Sequence, residues 1–357
     1  MTALPTGSTI GILGGGQLGR MLGVAAAQIG YRCLIYAPEE NPCAAAVAAG
    51  HVRGDYDDVD ALRDFAARCD VLTYEFENVP AAPLRALGDA VALHPNADAL
   101  ELAQDRLREK DYILSHGGRP ADYREVDSRE TLEAALDAIG VPAILKTRRF
   151  GYDGKGQVRI MSRNEAAAAW ADIGKRPAVL EAMVAFEREF SIILARGHDG
   201  DTRVYPPPDN RHEDGILSRS IAPGTGLIAE QSAAAADLAR KVAEALGYVG
   251  VLTFEFFASA EGPVFNEMAP RVHNSGHWTI EGAQCSQFEN HIRAICGLPL
   301  GSTALTLPRV EMTNLIGIDG EEAQRWLETP GAHLHFYDKG EARPGRKMGH
   351  VTQLFTE

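Results

Sequence analysis

Residues 264–278 read Val-Phe-Asn-Glu-Met-Ala-Pro-Arg-Val-His-Asn-Ser-Gly-His-Trp. A strand-like run ends at the carboxylate of Glu267, and a proline-led loop then presents Arg271, His273, Asn274 and Ser275. Upstream, Glu255 lies inside a second strand-like run, Val251–Phe257. The stretch between them holds Ser259-Ala260-Glu261-Gly262, which has the composition of a hairpin turn. A turn centred near Glu261 sets Glu255 directly opposite Glu267. Like charges opposed on adjacent strands are destabilising. At about 5 Å and an effective dielectric near 20 the repulsion is roughly 3 kcal/mol. A hard divalent cation relieves it by taking carboxylate oxygens, with magnesium bridging to phosphate as the usual case. The ordinary alternative is a pair of solvated glutamates on an exposed hairpin. Phe254, Phe256, Phe257 and Phe265, interleaved with them, argue against that.

The 357-residue chain is too long for one typical domain. Its 45% hydrophobic and 24% charged composition is that of a globular protein with a sizeable core. A net charge of −14 leaves no basic stripe for a nucleic-acid backbone. The five cysteines (33, 43, 69, 285 and 296) form no C-x-x-C pair, which favours reduced thiols in a cytoplasmic protein. There is no signal-like start and no apolar run long enough to span a membrane.

Thr9–Leu13 predicts a strand leading into Gly14-Gly15-Gly16-Gln17-Leu18-Gly19 and a helix from about residue 20 to 28. Strands are expected at 32–36 and 71–77, so that strands alternating with helices build a parallel sheet. Asp98 is the expected cap of the next helix, with Glu101 in the capping-box position. Leu100, Ala103, Leu107 and Leu114 supply its apolar face. A small α+β unit follows. It comprises a strand near 141–147 with Lys146, a glycine loop at 148–156, a strand at 157–161, a helix at 164–173, and strands near 178–181 and 188–194. Helices are expected at 232–246 and 287–295.

The glycine run 14–19 satisfies G-x-G-x-x-G between a strand and a helix. A phosphate contact, a ribose contact and a structural tight turn all fit it. For a nicotinamide cofactor the second strand offers only Glu39, after a proline. Arg149-Phe150-Gly151-Tyr152-Asp153-Gly154-Lys155-Gly156-Gln157 reads as a flexible phosphate cover between two strands. It is no Walker A loop, which would open a helix. Lys146, inside Ile144-Leu145-Lys146, needs a partner. Glu181 and Glu189 read from spacing alone as solvated edge charges. In a nucleotide cleft the main chain near Glu181 would meet an adenine edge and Glu189 the ribose. Residues 337–350 concentrate basic groups in an acidic chain, either as a solvated tail or as a phosphate-monoester pocket.

A strand lysine, a glycine cover loop and a Glu…Asn-Glu hairpin together resemble the ATP-grasp superfamily. Finer motifs are similar to its 5-(carboxyamino)imidazole ribonucleotide synthase family. They are Gly-Gly-Gly-Gln-Leu-Gly-Arg-Met-Leu at 14–22, Tyr-Glu-Phe-Glu-Asn at 74–78 and Gly-Tyr-Asp-Gly-Lys-Gly-Gln at 151–157. They continue with the run at 266–277, Ser-Gln-Phe-Glu at 286–289 and Gly-Arg-Lys-Met-Gly-His at 345–350. Phe190 and the proline-rich 205–208 depart from the usual pattern. The resemblance implies a Rossmann-like parallel-sheet domain (1–97), a linker helix with a small lid domain (98–194) and a C-terminal mixed α+β domain (195–357).

It also implies ATP- and bicarbonate-dependent carboxylation of aminoimidazole ribonucleotide through carboxyphosphate, in purine biosynthesis. The implied ATP contacts are Arg106, Lys146, Gly151, Tyr152, Asp153, Gly154, Lys155, Gly156, Gln157, Glu181, Val184, Glu189, His212, Asn266 and Glu267. Glu255 and Glu267 would hold Mg2+. Arg271, His273, Asn274 and Asp153 are the implied catalytic group. Glu75, Tyr152, Asp153, Arg271, Lys339 and Arg346 would bind the ribonucleotide. A homodimer is implied. Another ATP-grasp ligase, such as a formate-dependent purine transformylase, is the nearest competing reading, and a non-catalytic nucleotide-binding module is a further one.

Overall fold

The structure, a computed structural model, describes residues 2–149, 151 and 156–357. Among these residues the strands form three sheets. The first is parallel, in the order β3-β2-β1-β4-β5, from β1 (Thr9–Leu13), β2 (Arg32–Ala37), β3 (Gly50–Arg53), β4 (Val71–Tyr74) and β5 (Ala92–Leu93). Its central strands β1, β2 and β4 are short, mostly apolar runs because helices cover both faces. The helices here are α1 (Gln17–Gln28), α2 (Val59–Ala66) and α3 (Ala81–Arg85). Strand β4 stops at Tyr74, earlier than expected, so Glu75 and Glu77 fall on the loop beyond the strand's carboxyl end.

Two helices, α4 (Ala97–Ala103) and α5 (Arg106–Ser115), stand where one was expected. Asn96, not Asp98, caps α4, accepting from the Ala99 N–H at 2.9 Å. Asp98 sits in the first turn and pairs with Arg85, as does Glu101. Asp105 caps α5. The break rotates the second helix away from the expected apolar face. Leu114 is 57% exposed, while Glu109 and Lys110 are buried.

The second sheet is antiparallel, in the order β6-β9-β7-β8, from β6 (Tyr123–Val126), β7 (Ala143–Thr147), β8 (Gln157–Ile160) and β9 (Ala178–Ala182). Helices α6 (Arg129–Ile139) and α7 (Ala166–Asp172) pack on it around Leu132, Leu145, Trp170 and Leu180. The expected strand at 188–194 is not part of this unit. As β10 (Arg188–Arg196) it lies inside the third sheet, hydrogen-bonded to β14 along its whole length.

The third sheet runs β15-β14-β10-β12-β13-β16-β18-β17, with β11 (Thr202–Val204) beside β10. The other members are β12 (Asp209–Glu213), β13 (Ile216–Ala222), β14 (Gly250–Ser259), β15 (Gly262–Ala269), β16 (Arg309–Ile316), β17 (Ala332–Phe336) and β18 (Lys347–Phe355). Strand β10 shows the period of two that a doubly covered strand requires. Phe190, Ile192 and Leu194 enter the core under α8 (Leu227–Ala245), which begins five residues before the expected start. Ile193 and Ala195 enter the opposite core with α1 and α10 (Gln287–Ile295); between these helices in the chain lies the short α9 (Thr279–Gly282). The contact of α1 with α10 joins the first sheet to the third. The basic stretch expected as tail or pocket leads into β18, which is held between β16 and β17. No helix among the described residues is long and apolar enough to cross a membrane.

Candidate active site

The hairpin β14/β15 positions the two glutamates. Its turn is Ala260-Glu261, with Ser259 opposite Gly262, half a residue short of the expected centre. A bulge between Glu255 and Phe256 makes up the difference. Phe256 faces Phe265 and Glu255 faces Glu267, so Asn266 is the extra residue.

Glu267 accepts from Arg106 Nη1 at 3.0 Å, and its half-open side chain lets solvent screen the pair. Burial disfavours its charge, but Arg106 and Lys146 outweigh that and hold the carboxyl below its usual range. Glu255 has the opposite balance. Burial, then the charge of Glu267, push it up to about 7. The repulsion inferred from sequence is therefore present, and it falls on one member of the pair.

Glu181 is not a solvated edge charge, as spacing alone suggested. It is 4% exposed, and its Oε2 accepts from Lys146 Nζ at 2.9 Å. Its Oε1 lies 3.2 Å from Lys110 Nζ. Burial raises its pKa, but the two ammonium groups prevail and bring it to about 2. Lys110, fully buried, also donates to the main-chain oxygen of Asn266 at 3.2 Å. Lys146 Nζ reaches Asn266 Oδ1 at 3.4 Å. Glu109, one residue before Lys110, accepts from the Met268 N–H at 2.6 Å. Lys110 and Glu109 were missed in the sequence, where an adjacent Glu-Lys on a helix looks like a solvated face.

Glu189 on β10 and His212 on β12 pair at 2.8 Å. Burial lowers the His212 pKa, and the bond to Glu189 more than restores it. Val184 lies on the segment joining β9 to β10, beside exposed Met183 and Phe186. Gly156 has φ +73°, and a side chain there would strike Thr147. Gly151 and Gln157 flank the cover loop. Tyr152, Asp153, Gly154 and Lys155 lie outside the described residues.

At the other end, the glycine run is occupied by this chain's own Glu75. Its Oε1 accepts from the Gly16 N–H at 2.8 Å, and a Cβ on Gly14 would meet that oxygen at 2.5 Å. The run is thus a tight turn that cradles a carboxylate. Burial raises the Glu75 pKa, against Gly16, Arg271 and Lys339. Arg271 grips Glu77 through Nη2 at 2.7 Å and Nε at 3.1 Å. Lys339 lies over the Tyr337 ring at 5.6 Å. Burial lowers its pKa, and the charges of Arg346 and Lys347 add to the effect. Arg346 itself donates to the Glu341 main chain at 3.0 Å. Tyr337 is held by His350 Nδ1 at 2.6 Å and His277 Nδ1 at 3.1 Å, which fastens the Lys339 loop to α9's approach.

His273 stands between the ends. Its Nε2 is 3.2 Å from Glu255, and its main chain is bracketed by the Gln287 amide at 2.9 and 2.6 Å. Behind it runs a buried polar chain. His273 Nδ1 meets Ser275 Oγ, and Ser275 Oγ meets Ser191 Oγ, each at 2.8 Å. Asn210 then donates to Ser191 at 2.7 Å. Asn274 is 8% exposed, and neither polar atom of its amide meets a protein partner. A buried amide normally has partners, and the protein supplies none to this one.

Three family comparisons cover most of the chain. Residues 7–104 match the ribonucleotide synthetase preATP-grasp domain, 112–288 the ATP-grasp domain, and 311–357 the phosphoribosylaminoimidazole carboxylase C-terminal domain. The N5-carboxyaminoimidazole ribonucleotide synthase of Brucella melitensis biotype 1 is 50% identical, across 99% of this chain and 98% of its own. A crystal structure of N5-carboxyaminoimidazole ribonucleotide synthetase from Thermus thermophilus superposes with a TM-score of 0.91 at 47% identity, covering 98% of this chain and 94% of that one. An Aspergillus clavatus N5-carboxyaminoimidazole synthase, solved with ADP and 5-aminoimidazole ribonucleotide, has a TM-score of 0.91 at 32% identity, covering 98% and 94%.

Proposed function

This chain belongs to the N5-carboxyaminoimidazole ribonucleotide synthase family, and we infer that it performs the ATP-dependent carboxylation of 5-aminoimidazole ribonucleotide to N5-carboxyaminoimidazole ribonucleotide in purine biosynthesis. The observation that carries the reading is the setting of His273, which meets Glu255 on one side and feels the charge of Arg271 on the other. Glu255 touches its ring, and Asn274 beside it offers a buried, unpartnered amide.

In this reading ATP lies against Arg106, Lys146, Asn266 and Glu267, with Glu181, Val184, Glu189 and His212 around the nucleoside. Gly151, Tyr152, Asp153, Gly154, Lys155, Gly156 and Gln157 cover the phosphates. The ribonucleotide lies against Glu75 and Arg271, with its 5′-phosphate toward Lys339 and Arg346. Tyr152 and Asp153 enter this assignment by resemblance alone. The facing pair Glu255 and Glu267 fits magnesium, since a hard cation would offset the burial and the repulsion by Glu267 that raise Glu255. Two carboxylates suffice, because magnesium keeps waters and takes its other oxygens from phosphate. Bound there, it would screen charge on the phosphates.

Bicarbonate oxygen attacks the γ-phosphorus, the bond to the β–γ bridging oxygen breaks, and ADP leaves. The chain's contribution to this step is positioning and charge stabilisation by Arg106 and Lys146. Carboxyphosphate then releases phosphate and carbon dioxide near Arg271, His273 and Asn274. The exocyclic amine of the ribonucleotide takes the carbon and loses a proton. Exclusion of water protects the intermediate. A homodimer working in the cytoplasm completes the proposal, and sedimentation of the pure protein checks the first part.

The test is ADP release with ATP and bicarbonate, with and without the ribonucleotide. Stimulation by the ribonucleotide, with the carboxylated product formed, is expected. ADP release indifferent to it would defeat the reading.

A further inference from the structure

Three consecutive residues at the junction of α4 and α5 reach toward three different sheets. Gln104, at the end of α4, donates from Nε2 to the main-chain oxygens of Glu77 and Val79, both at 2.8 Å. Those residues lie on the loop after β4, which also carries Glu75, and Glu77 is the carboxylate that Arg271 grips. Asp105, 3% exposed, accepts from Arg148 Nε at 2.7 Å and lies 3.6 Å from Arg149 Nε. Those arginines follow directly on β7, which carries Lys146. The Arg106 N–H donates to the Arg148 main-chain oxygen at 3.0 Å, and its guanidinium meets Glu267 on β15.

A turn between two short helices needs none of these bonds. The Asp105 carboxylate does cap α5, accepting from the Leu107 and Arg108 N–H groups at 3.2 and 3.3 Å. Asparagine caps as well as aspartate, so capping leaves the two arginines unexplained. Nor does folding explain why one side-chain amide binds two main-chain oxygens on the loop that carries Glu75. A rigid corner, reaching one substrate end through each residue, explains both.

We propose that Gln104 and Asp105 are positioning residues that hold the two substrate ends in register. Gln104 sets the ribonucleotide end through the 75–79 loop. Asp105 sets the nucleotide end through Arg148 and Arg149. Arg106, between them, is the direct contact. The inference rests on the assignment of Glu75 and Arg271 to the ribonucleotide and of Lys146 and Glu267 to ATP.

The experiment is steady-state ADP release by the full chain, varying ATP and the ribonucleotide separately at saturating bicarbonate. Gln104→Leu keeps the volume and removes the donor. It should raise the ribonucleotide KM about tenfold and leave the ATP KM within about twofold. Asp105→Asn keeps the Oδ1 acceptor, and with it the cap, and removes the negative charge that Arg148 and Arg149 answer. It should show the reverse split, by about the same factor. Gln104→Met and Asp105→Ser serve if either first variant fails to fold, with the same splits expected. Glu75→Gln is the control. If it leaves the ribonucleotide KM unchanged, the site assignment itself is wrong. If it raises that KM while the junction variants move both KM values together, or move neither and lower only the melting temperature, the register role is overturned.

Discussion

Lys110→Met removes a charge that looks, in the sequence, like one more solvated helix residue. The ammonium is fully buried, 3.2 Å from Glu181 Oε1, and the second oxygen of Glu181 is held by Lys146 at 2.9 Å. At an effective dielectric near 20, a unit pair at that distance interacts by ~5 kcal/mol. Removing the lysine also removes its own desolvation penalty, which is several kcal/mol. Glu181 keeps one partner, so the net loss should fall near the low end of what breaking a buried pair costs, about 2–4 kcal/mol. Methionine fills the space without strain. At roughly 1.3 °C per kcal/mol for a chain of 357 residues, the melting temperature should drop roughly 3–5 °C at pH 7. The pH dependence identifies the cause. Glu181 is depressed to about 2 from an ordinary 4.5, so its contribution is present above pH 4.5 and is lost as the pH falls toward 2. In Lys110→Met the depression is smaller, and the gap between the two proteins should narrow below about pH 4.5. Thermal unfolding from pH 3 to 8 measures both quantities. The double variant Lys110→Met/Glu181→Gln should be less stable still, because it leaves the buried Lys146 without its carboxylate. Equal stability at pH 7, or a gap that does not change with pH, would refute the argument.

Glu267→Gln should fold normally and lose turnover by roughly 10²–10³, as removal of one preorganised charge contact commonly does; near wild-type rates would remove the metal assignment. Lys339→Ala should raise the ribonucleotide KM about tenfold with the ATP KM unchanged, because it deletes a point charge from the phosphate end; an effect confined to ATP would show that the end is misplaced. Glu255 is raised to about 7 from 4.5 by burial and by Glu267, so without metal its contribution to stability is full below pH 4.5 and declines as the pH rises to 7. Glu255→Gln should abolish that decline in magnesium-free thermal melts, and an unchanged slope would assign the decline to another group.

The hairpin was legible because alternation, four phenylalanines and a turn left few registers. The bulge was not, since nothing in Phe265-Asn266-Glu267 marks which residue stands out of the ladder. The glycine run fitted a phosphate contact, a ribose contact and a tight turn equally, because its occupant, Glu75, comes from far along the chain, and only the parallel pairing of β1 with β4 brings it there. Glu109 and Lys110 were illegible for a physical reason. Charged residues on a helix normally face water, and here a polar helix face is buried against β15 because its partners, Glu181 and the Asn266–Met268 backbone, come from two other sheets. The strand at 188–194 was found but placed in the wrong unit, since a strand's own residues do not name its neighbours. Strand β18 begins inside the basic stretch 337–350, whose charges read as a solvated tail or a phosphate-monoester pocket and masked the strand.

The bulge at Asn266 makes the hairpin a measured length of chain. Composition at Ala260 and Glu261 is free to drift across generations, because Ala260 only turns the corner and Glu261 adds only an exposed ion pair with Arg119. Count is not free. One codon gained between Glu255 and Glu267 would send one carboxylate to the opposite face of the sheet, since side chains alternate. One codon lost at Asn266 would straighten the ladder and keep the glutamates opposed, but it would delete the amide that meets Lys146. Single-codon insertions and deletions in this interval should therefore be purged from the lineage even where substitutions at the tip are not.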